Sequence, residues 1–290
     1  MQERSEHQRK NNMAQWSKHS QAYLPQQTTN HEVVMISDED GNIINTFGAA
    51  SNVVIAAGNL EGYSVIHKFG RNPSIGGAPE TIWGGGGVYS YLSSPSIVYC
   101  YSSSGSDGAT AIGARTVTVL GLDANYAAVE DTIVVGGAPS TVQFLRVFRA
   151  FVVTSGSTGT NVGTLSISNA ASLGTVLTTI DTLGGGTVYG TGQSFSGFYT
   201  IPAGKTGYMT QWNVGVGAYN DQCTAWLVFK PFDDGAFRTL DVMCVPGGHF
   251  TRDYNIPLKF LEKSDIEARA LCSTGSEIST TFDIILVDNE

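Results

Sequence analysis

The chain has 290 residues, of which 41% are hydrophobic and only 14% charged, with 35 glycines and a formal net charge of −9. That length can bury a substantial core, and a charged fraction well below the roughly 25% of an ordinary soluble domain suits a β-rich protein whose surface is partly covered by neighbours. A net negative chain lacks the basic footprint that phosphate contacts require, so no nucleic-acid partner is expected. No apolar run approaches the ~20 residues that span a bilayer, so neither a membrane span nor a secretory leader is expected.

Residues 1–30, MQERSEHQRKNNMAQWSKHSQAYLPQQTTN, are polar and carry almost no periodic apolar face. Such a segment cannot bury enough surface to offset the entropy of ordering it, and it reads as an extended arm. Arg9 and Lys10 form its basic cluster, a candidate contact for an acidic partner, and Met13 offers an alternative start to Met1. Residues 31–62 read as a β-hairpin and linker: in HEVVMISDEDGNIINTFG, Gly41 and Asn42 tolerate the backbone of a tight turn. The acidic loop Asp38, Glu39, Asp40 hints at calcium, but the flanking helices and the bidentate Glu of an EF-hand are absent, so it is read as a turn.

From Tyr63 onward, short β-type runs recur between Gly, Asn and Ser punctuation: YSVIHKFG, ETIW, SIVYCYS, RTVTVLG, EDTIVVGG, VGTLSIS, TVLTTID, SFSGFYTIP, GYMTQWNVGVG, CTAWLVFKPF, FRTLDVMCV, IPLKF, DIEARALC and STTFDIILVDN. Many alternate with period two, and strands this short and numerous predict an all-β chain of β-sandwich or jelly-roll type. TVQFLRVFRAFVV also fits a helix face, through Phe144, Val147, Phe148 and Phe151, but its aromatic and β-branched content favours a strand. A shift toward larger apolar residues near GTVYGTGQS divides a β-rich domain at 63–190 from a jelly-roll-like sandwich domain at 191–290.

The four cysteines, Cys100, Cys223, Cys244 and Cys272, form no C-x-x-C pair and each lies in a strand-like run. They are expected to be reduced, packed thiols, as in a protein folded in a reducing cytoplasm. No zinc site follows from this spacing.

The motifs that carry chemistry elsewhere read as structure here. IPAGKTGYM ends like a phosphate loop, yet Tyr199 stands where the first glycine belongs and a strand pattern follows Lys205 and Thr206. No G-x-S-x-G elbow is present, and three of the five histidines (His7, His19, His31, His67, His249) lie in or beside the arm. Asp123, Glu130 and Asp131, in GLDANYAAVEDTIVV, with Asp233 and Asp234, offer paired carboxylates of the kind a glycosidase needs. Asp123 is better suited to capping its own bend, and Glu130 and Asp131 to starting a strand. Tyr89, Tyr91, Tyr99 and Tyr101 come in pairs spaced by two, hence on common faces. They read as an aromatic ladder, or, if exposed, as a platform for sugar rings. No catalytic residue, cofactor or metal is expected, and the chain is read as a non-enzyme.

From about residue 30 to the end the chain resembles a cyanophage-like family of virion structural proteins, found in tailed phages of aquatic bacteria. The residues that carry the likeness are IHKFGRNPSI with ETIW, GARTVTVLGLDANYAAVEDTIVVGG and FLRVFRAFVVTSGSTGTNVGTLSI. IPAGKTGYM, FRTLDVMC, IPLKFLEKSDIEARA and FDIILVDN continue it. The glycine run at 84–87 departs from the varied polar loop expected there. The resemblance implies a head decoration (cement) protein, made in the host cytoplasm and carried on the head exterior. It would bind the major capsid protein, with a homotrimer as the expected assembly. Arg9, Lys10, Trp16 and Tyr23 are the candidate capsid contacts of the arm. The alternative it implies is a tail, neck or head fibre that holds host surface glycans through Tyr89, Tyr91, Tyr99 and Tyr101.

Overall fold

The hairpin expected after the arm forms: β1 (Ile36–Ser37) runs antiparallel to β2 (Ile43–Ile44), with Ile36 opposite Ile44. The computed structural model describes residues 36–37, 43–44, 49–171, 174–183, 189–217, 221–273 and 275–289. The hairpin's turn at 38–42 and the arm residues Arg9, Lys10, Trp16 and Tyr23 lie outside them. Part of the expected linker is instead a helix, α1 (Ala49–Ala56). Gly58, at φ +71°, ends it. Asn59 N–H donates to Val54 C=O at 3.0 Å and Gly58 N–H to Ile55 C=O at 2.9 Å, which satisfies the last carbonyls in a Schellman motif. That left-handed position favours glycine because a Cβ there crowds the backbone.

The chain divides into two units, Met1–Glu61 and Gly62–Glu290. The second unit opens with β3 (Tyr63–Ile75) and β4 (Glu80–Thr81) and closes with β13 (Phe198–Thr200), β14 (Lys205–Val216), β15 (Cys223–Lys230), β16 (Arg238–Val245), β17 (Gly248–Phe260), β18 (Asp265–Cys272) and β19 (Ser276–Asp288). One sheet has the order β17-β14-β19-β3 and the other β13-β18-β15-β16, with β4 also paired to β18. β13 lies along Asp265–Glu267 and β4 along Arg269 and Ala270, so the two share one edge of β18. Giving that shared place a single number, the strands run 1-8-3-6 in one sheet and 2-7-4-5 in the other. That order is a jelly roll.

Period-two alternation makes the core. Met209, Trp212, Val214 and Val216 of β14 and Ile278, Phe282, Ile284 and Leu286 of β19 meet Ala225 and Leu227 of β15, Met243 and Val245 of β16, and Ile266, Ala268 and Ala270 of β18. Each large apolar side chain fully buried there contributes about 1.5–3 kcal/mol. The Trp212 indole N–H, at the centre, donates to Thr280 Oγ1 at 3.0 Å, so its one polar atom is satisfied.

Between β4 and β13, the two segments that share the second place, a smaller sandwich is inserted. Its sheets are β7 (Ala128–Val134), β6 (Ala114–Leu122) and β8 (Arg146–Ser155), and β10 (Val176–Ile180), β9 (Leu165–Ser168) and β5 (Tyr99–Ser102). A short hairpin, β11 (Thr182–Leu183) with β12 (Tyr189–Gly190), follows them. The smaller sandwich has its own core: Val117, Val119, Ile133, Val147 and Ala150 face Cys100, Leu165, Ile167, Leu177 and Ile180. The ambiguous TVQFLRVFRAFVV run is strand β8, as its β-branched content predicts. The boundary expected at 190/191 does not separate the sheets, because β3 and β4 pair with β19 and β18 from the far end of the chain. Sequence order could not reveal this, since a jelly roll places its first strand beside its last.

The cysteine expectation needs correction. Strands β15 and β18 are neighbours in a register that sets Cys223 opposite Cys272, and the two are joined as a disulfide. Cys100 is a buried free thiol, as expected, whereas Cys244 is free and exposed.

Candidate functional site

The sequence of β18, DIEARALC, determines a buried polar cluster. Ile266, Ala268, Ala270 and Cys272 fill the jelly-roll core. The alternate residues Asp265, Glu267 and Arg269 therefore point to the other face. That face is covered too: Asp265 is 1% and Glu267 0% exposed. Arg146, on β8 of the smaller sandwich, reaches across and holds Asp265 with two hydrogen bonds of 2.9 and 3.1 Å. Thr200 Oγ1 donates to the same carboxylate at 2.6 Å, and Lys230 Nζ stands 3.3 Å away. Glu267 is held by Arg269 at 2.8 and 3.1 Å, by the Thr81 hydroxyl, and by the Tyr91 hydroxyl at 3.4 Å. For Arg146, burial works against the charge, but the hydrogen bonds and the charge of Asp265 outweigh it and raise the guanidinium above its ordinary value.

Aromatic rings seal this cluster. Tyr89 stacks on Phe198 with centroids 3.8 Å apart, and Trp83 meets Tyr89 edge-on at 5.3 Å. The Arg146 guanidinium lies 5.0 Å from the Tyr91 ring centroid, and the Phe237 ring packs 5.7 Å from the same ring. Burial, then the neighbouring Glu267 and Asp265 carboxylates, pushes the Tyr91 phenol well above its ordinary value, so it stays protonated. Lys68 on β3 enters the same joint between the two sandwiches and donates to Phe148 C=O at 2.5 Å. Burial, helped by the charge of Arg149, lowers its ammonium to about 7. Both carboxylates are held by hydrogen bonds from the fold, and through Arg146 and Asp265 the cluster acts as a clamp between the two sandwiches.

The sequence-derived candidates fall in three groups. Asp123 caps its own bend, its Oδ1 accepting from Asn125 N–H at 2.8 Å and Ala127 N–H at 2.9 Å, within the β6–β7 hairpin. Asp131 accepts from Thr141 N–H at 2.5 Å and its hydroxyl at 2.9 Å, Glu130 sits on β7 opposite Leu120, and Asp234 pairs with Arg238. Gly204 takes φ +73° before β14, so IPAGKTG is a turn into a strand and Lys205 pairs with Asp288. His67 Nδ1 lies 2.5 Å from Asp283 Oδ1 on an exposed face, and His249 Nε2 is 3.2 Å from Thr251 Oγ1. Among the described residues no three His, Cys, Asp or Glu side chains gather as a metal site.

The four tyrosines separate. Tyr89 is buried and Tyr91 half-buried in the joint, outside any strand, so Tyr89 in particular is no glycan platform; the cover over β18 demands its ring. Tyr99 and Tyr101 lie half-buried along β5, with rings 6.3 Å apart and inclined by 17°. Their cross-strand partners are Ser168 and Ser166, so the stack runs along one strand and does not cross to the next. Sequence reasoning missed the clamp. Its signal is two carboxylates and an arginine in alternate positions of a strand whose remaining residues are all apolar.

A second surface is set by the flank of the jelly roll. β17 pairs with β14 on one side, and among the described residues no strand pairs its other edge. Nearly all of its 13 residues are exposed on both faces, with Phe250 at 42% and Ile256 at 86%.

No family model and no curated protein sequence matches the chain. Among solved structures it is similar to "Structure of infectious bursal disease virus Gt strain", at 12% identity and a TM-score of 0.19 over 79% of this chain and 73% of that one. "Structure of infectious bursal disease virus Gx strain" gives 10% identity and a TM-score of 0.20 over 79% and 72%. "Crystal structure of infectious bursal disease virus VP2 subviral particle" gives 10% and 0.16 over 80% and 78%. Likeness at that level does not establish a shared fold, and the jelly roll described above rests on this chain's own strand order.

Proposed function

We propose that the chain is a non-enzymatic structural component of a virion, a capsid decoration (cement) protein that binds the shell of the major capsid protein and stabilises it from the head exterior. The observation that carries this reading is the jelly-roll strand order with a second sandwich inserted between β4 and β13. Jelly rolls recur in viral capsid and lectin domains. A fold alone does not assign a function, and the use of the charged groups adds to it: the Arg146–Asp265 ion pair locks the two sandwiches together. The test is the copy number per purified particle, by quantitative mass spectrometry against the major capsid protein. Hundreds of copies are expected; a handful would overturn the cement assignment.

A fibre that holds host glycans is the second reading, favoured by the half-buried Tyr99 and Tyr101 stack alone. It predicts glycan-array binding that is lost in Tyr99→Ala and Tyr101→Ala.

A further inference from the structure

Among the described residues no strand pairs the outer edge of the first half of β17, whose protection is charge alone, from Arg252 and Asp253. Beyond Asp253 the strand is blunted: its register with β14 jumps from Asp253 opposite Gln211 to Leu258 opposite Met209, and the intervening bulge carries Pro257, with Lys259 just after it. Bulges, prolines and lysines are the devices that keep sheet edges from pairing. Residues 248–253 carry none of them and run in unbroken register along β14. Their faces follow from that register. Phe250 and Arg252 lie opposite the buried Val214 and Trp212 and face the interior side of the sheet. His249, Thr251 and Asp253 lie opposite Gly215, Asn213 and Gln211 and face outward.

We propose that this edge pairs with the same edge of a second copy of the chain, antiparallel, about a two-fold axis through Thr251. An isologous contact sets residue i opposite residue j in both copies, and in a continuous sheet i and j must face the same side. Three centres are available. Centring on Arg252 sets the two guanidiniums directly opposite each other, which is destabilising. Centring on Phe250 leaves Arg252 opposite Gly248 and Asp253 beyond the strand. Centring on Thr251 sets no like charges opposite each other and leaves the Arg252–Asp241 and Gln211–Asp253 contacts within each copy in place. His249 meets the partner's Asp253 and Asp253 meets the partner's His249, while Thr251 meets the partner's Thr251. On the interior side, Arg252, which holds Asp241 of its own copy at 3.1 Å, lies opposite the partner's Phe250. The outward-facing cross-strand pairings are of a stabilising kind. The two four-stranded sheets then join as one, β3-β19-β14-β17 continuing into its mirror order in the partner, with about six new backbone hydrogen bonds. The closed symmetry is a dimer and replaces the trimer expected from the sequence. This inference stands without the virion reading, since it concerns only the chain with itself.

The test uses the full chain in sedimentation equilibrium at micromolar concentration. Wild type is expected to be a concentration-dependent dimer. His249→Asp sets two carboxylates against each other at both ends of the contact and is expected to weaken the dimer about tenfold. Adding Asp253→Lys to it restores pairing. Residues 249 and 253 of one copy are too far apart along a strand to touch, so rescue arises only across the two-fold axis. Thr251→Cys in a Cys244→Ser background is expected to form a covalent dimer on mild oxidation, with circular dichroism confirming that each variant is folded. A monomeric or trimeric wild type, a dimer indifferent to His249→Asp, or no cross-link at position 251 overturns the proposal.

Discussion

Replacing Arg146 by Met removes the charge that joins the two sandwiches while keeping much of the aliphatic stem that packs at the joint. Arg146 donates to Asp265 at 2.9 and 3.1 Å, to Leu92 C=O at 3.1 Å and to Leu145 C=O at 3.0 Å, and all four bonds are lost. Breaking one partner out of a buried ion pair costs about 3–5 kcal/mol, because the remaining charge stays buried without its counter-ion. Lys230 at 3.3 Å and Thr200 at 2.6 Å still serve Asp265, which places the expected loss near the lower end, about 3 kcal/mol. For a domain of this size that corresponds to a Tm lowered by about 6–12 °C. The measurement is guanidinium unfolding followed by circular dichroism, with calorimetry for Tm. The double variant Arg146→Met with Asp265→Leu leaves neither charge orphaned, so its loss is expected to fall short of the sum of the two single losses. A loss below about 1 kcal/mol for Arg146→Met, or strict additivity in the double variant, refutes the clamp.

Asp107 is an acceptor shared by the end of β5, the start of β6 and the loop at 162–163: Ala114 N–H at 2.8 Å, Val162 N–H at 2.9 Å, Gly163 N–H at 2.8 Å and the Ser102 hydroxyl at 2.6 Å. Asp107→Ala strands these donors and is expected to cost about 3 kcal/mol or more in urea unfolding, at 1–3 kcal/mol for each buried group left unpaired. Burial raises the Asp107 carboxyl, but the hydrogen bonds from Ser102, Val162, Gly163 and Ala114 outweigh it and hold the folded value below the ordinary one. Its stabilisation is therefore complete above the ordinary carboxylate range and lost as pH falls through the folded value, so the acid limb of the stability profile is expected to be shallower in Asp107→Ala.

Lys68 has the opposite consequence. Its ammonium, lowered to about 7 by burial and then by Arg149, sheds its proton in the folded chain while the unfolded chain keeps one up to the ordinary value near 10.5. Stability is therefore expected to rise by about 2 kcal/mol between pH 7 and 9 in wild type, and that rise to vanish in Lys68→Met, read from denaturant midpoints at the two pH values. An unchanged slope in the variant would show that Lys68 is solvated. For the thiols, non-reducing intact mass is expected to show one disulfide. Alkylation should label the exposed Cys244 at once and Cys100 slowly, because burial, then Asp107, pushes the Cys100 thiol up to about 12.

The tertiary expectations failed where order along the chain and order in space part company. Cys223 and Cys272 lie 49 residues apart, and only the pairing of β15 with β18 sets them opposite each other. The tyrosine pairs share one spacing, yet one pair is covered by Phe198 and Trp83 while the other lies half-open on β5, because cover is supplied by distant segments. The helix α1 was missed because eight residues give too short a stretch for a period of 3.6 to stand out from an Ala-rich linker.

What the sequence determined by itself is local. Alternating apolar residues set the strands and their buried faces, including the ambiguous run that became β8. Asp123 sealed the β6–β7 bend, and Gly204 turned the chain into β14. Each depends on neighbours a few residues away, whose chemistry can be read in order. The tertiary structure alone decided that β3 and β4 join the closing strands in a jelly roll, that Arg146 meets Asp265 across 119 residues of chain, and that among the described residues no strand pairs the outer edge of β17. Pairing between strands is chosen by the burial and hydrogen bonding of the whole, and a period of two is the same whichever strand lies alongside.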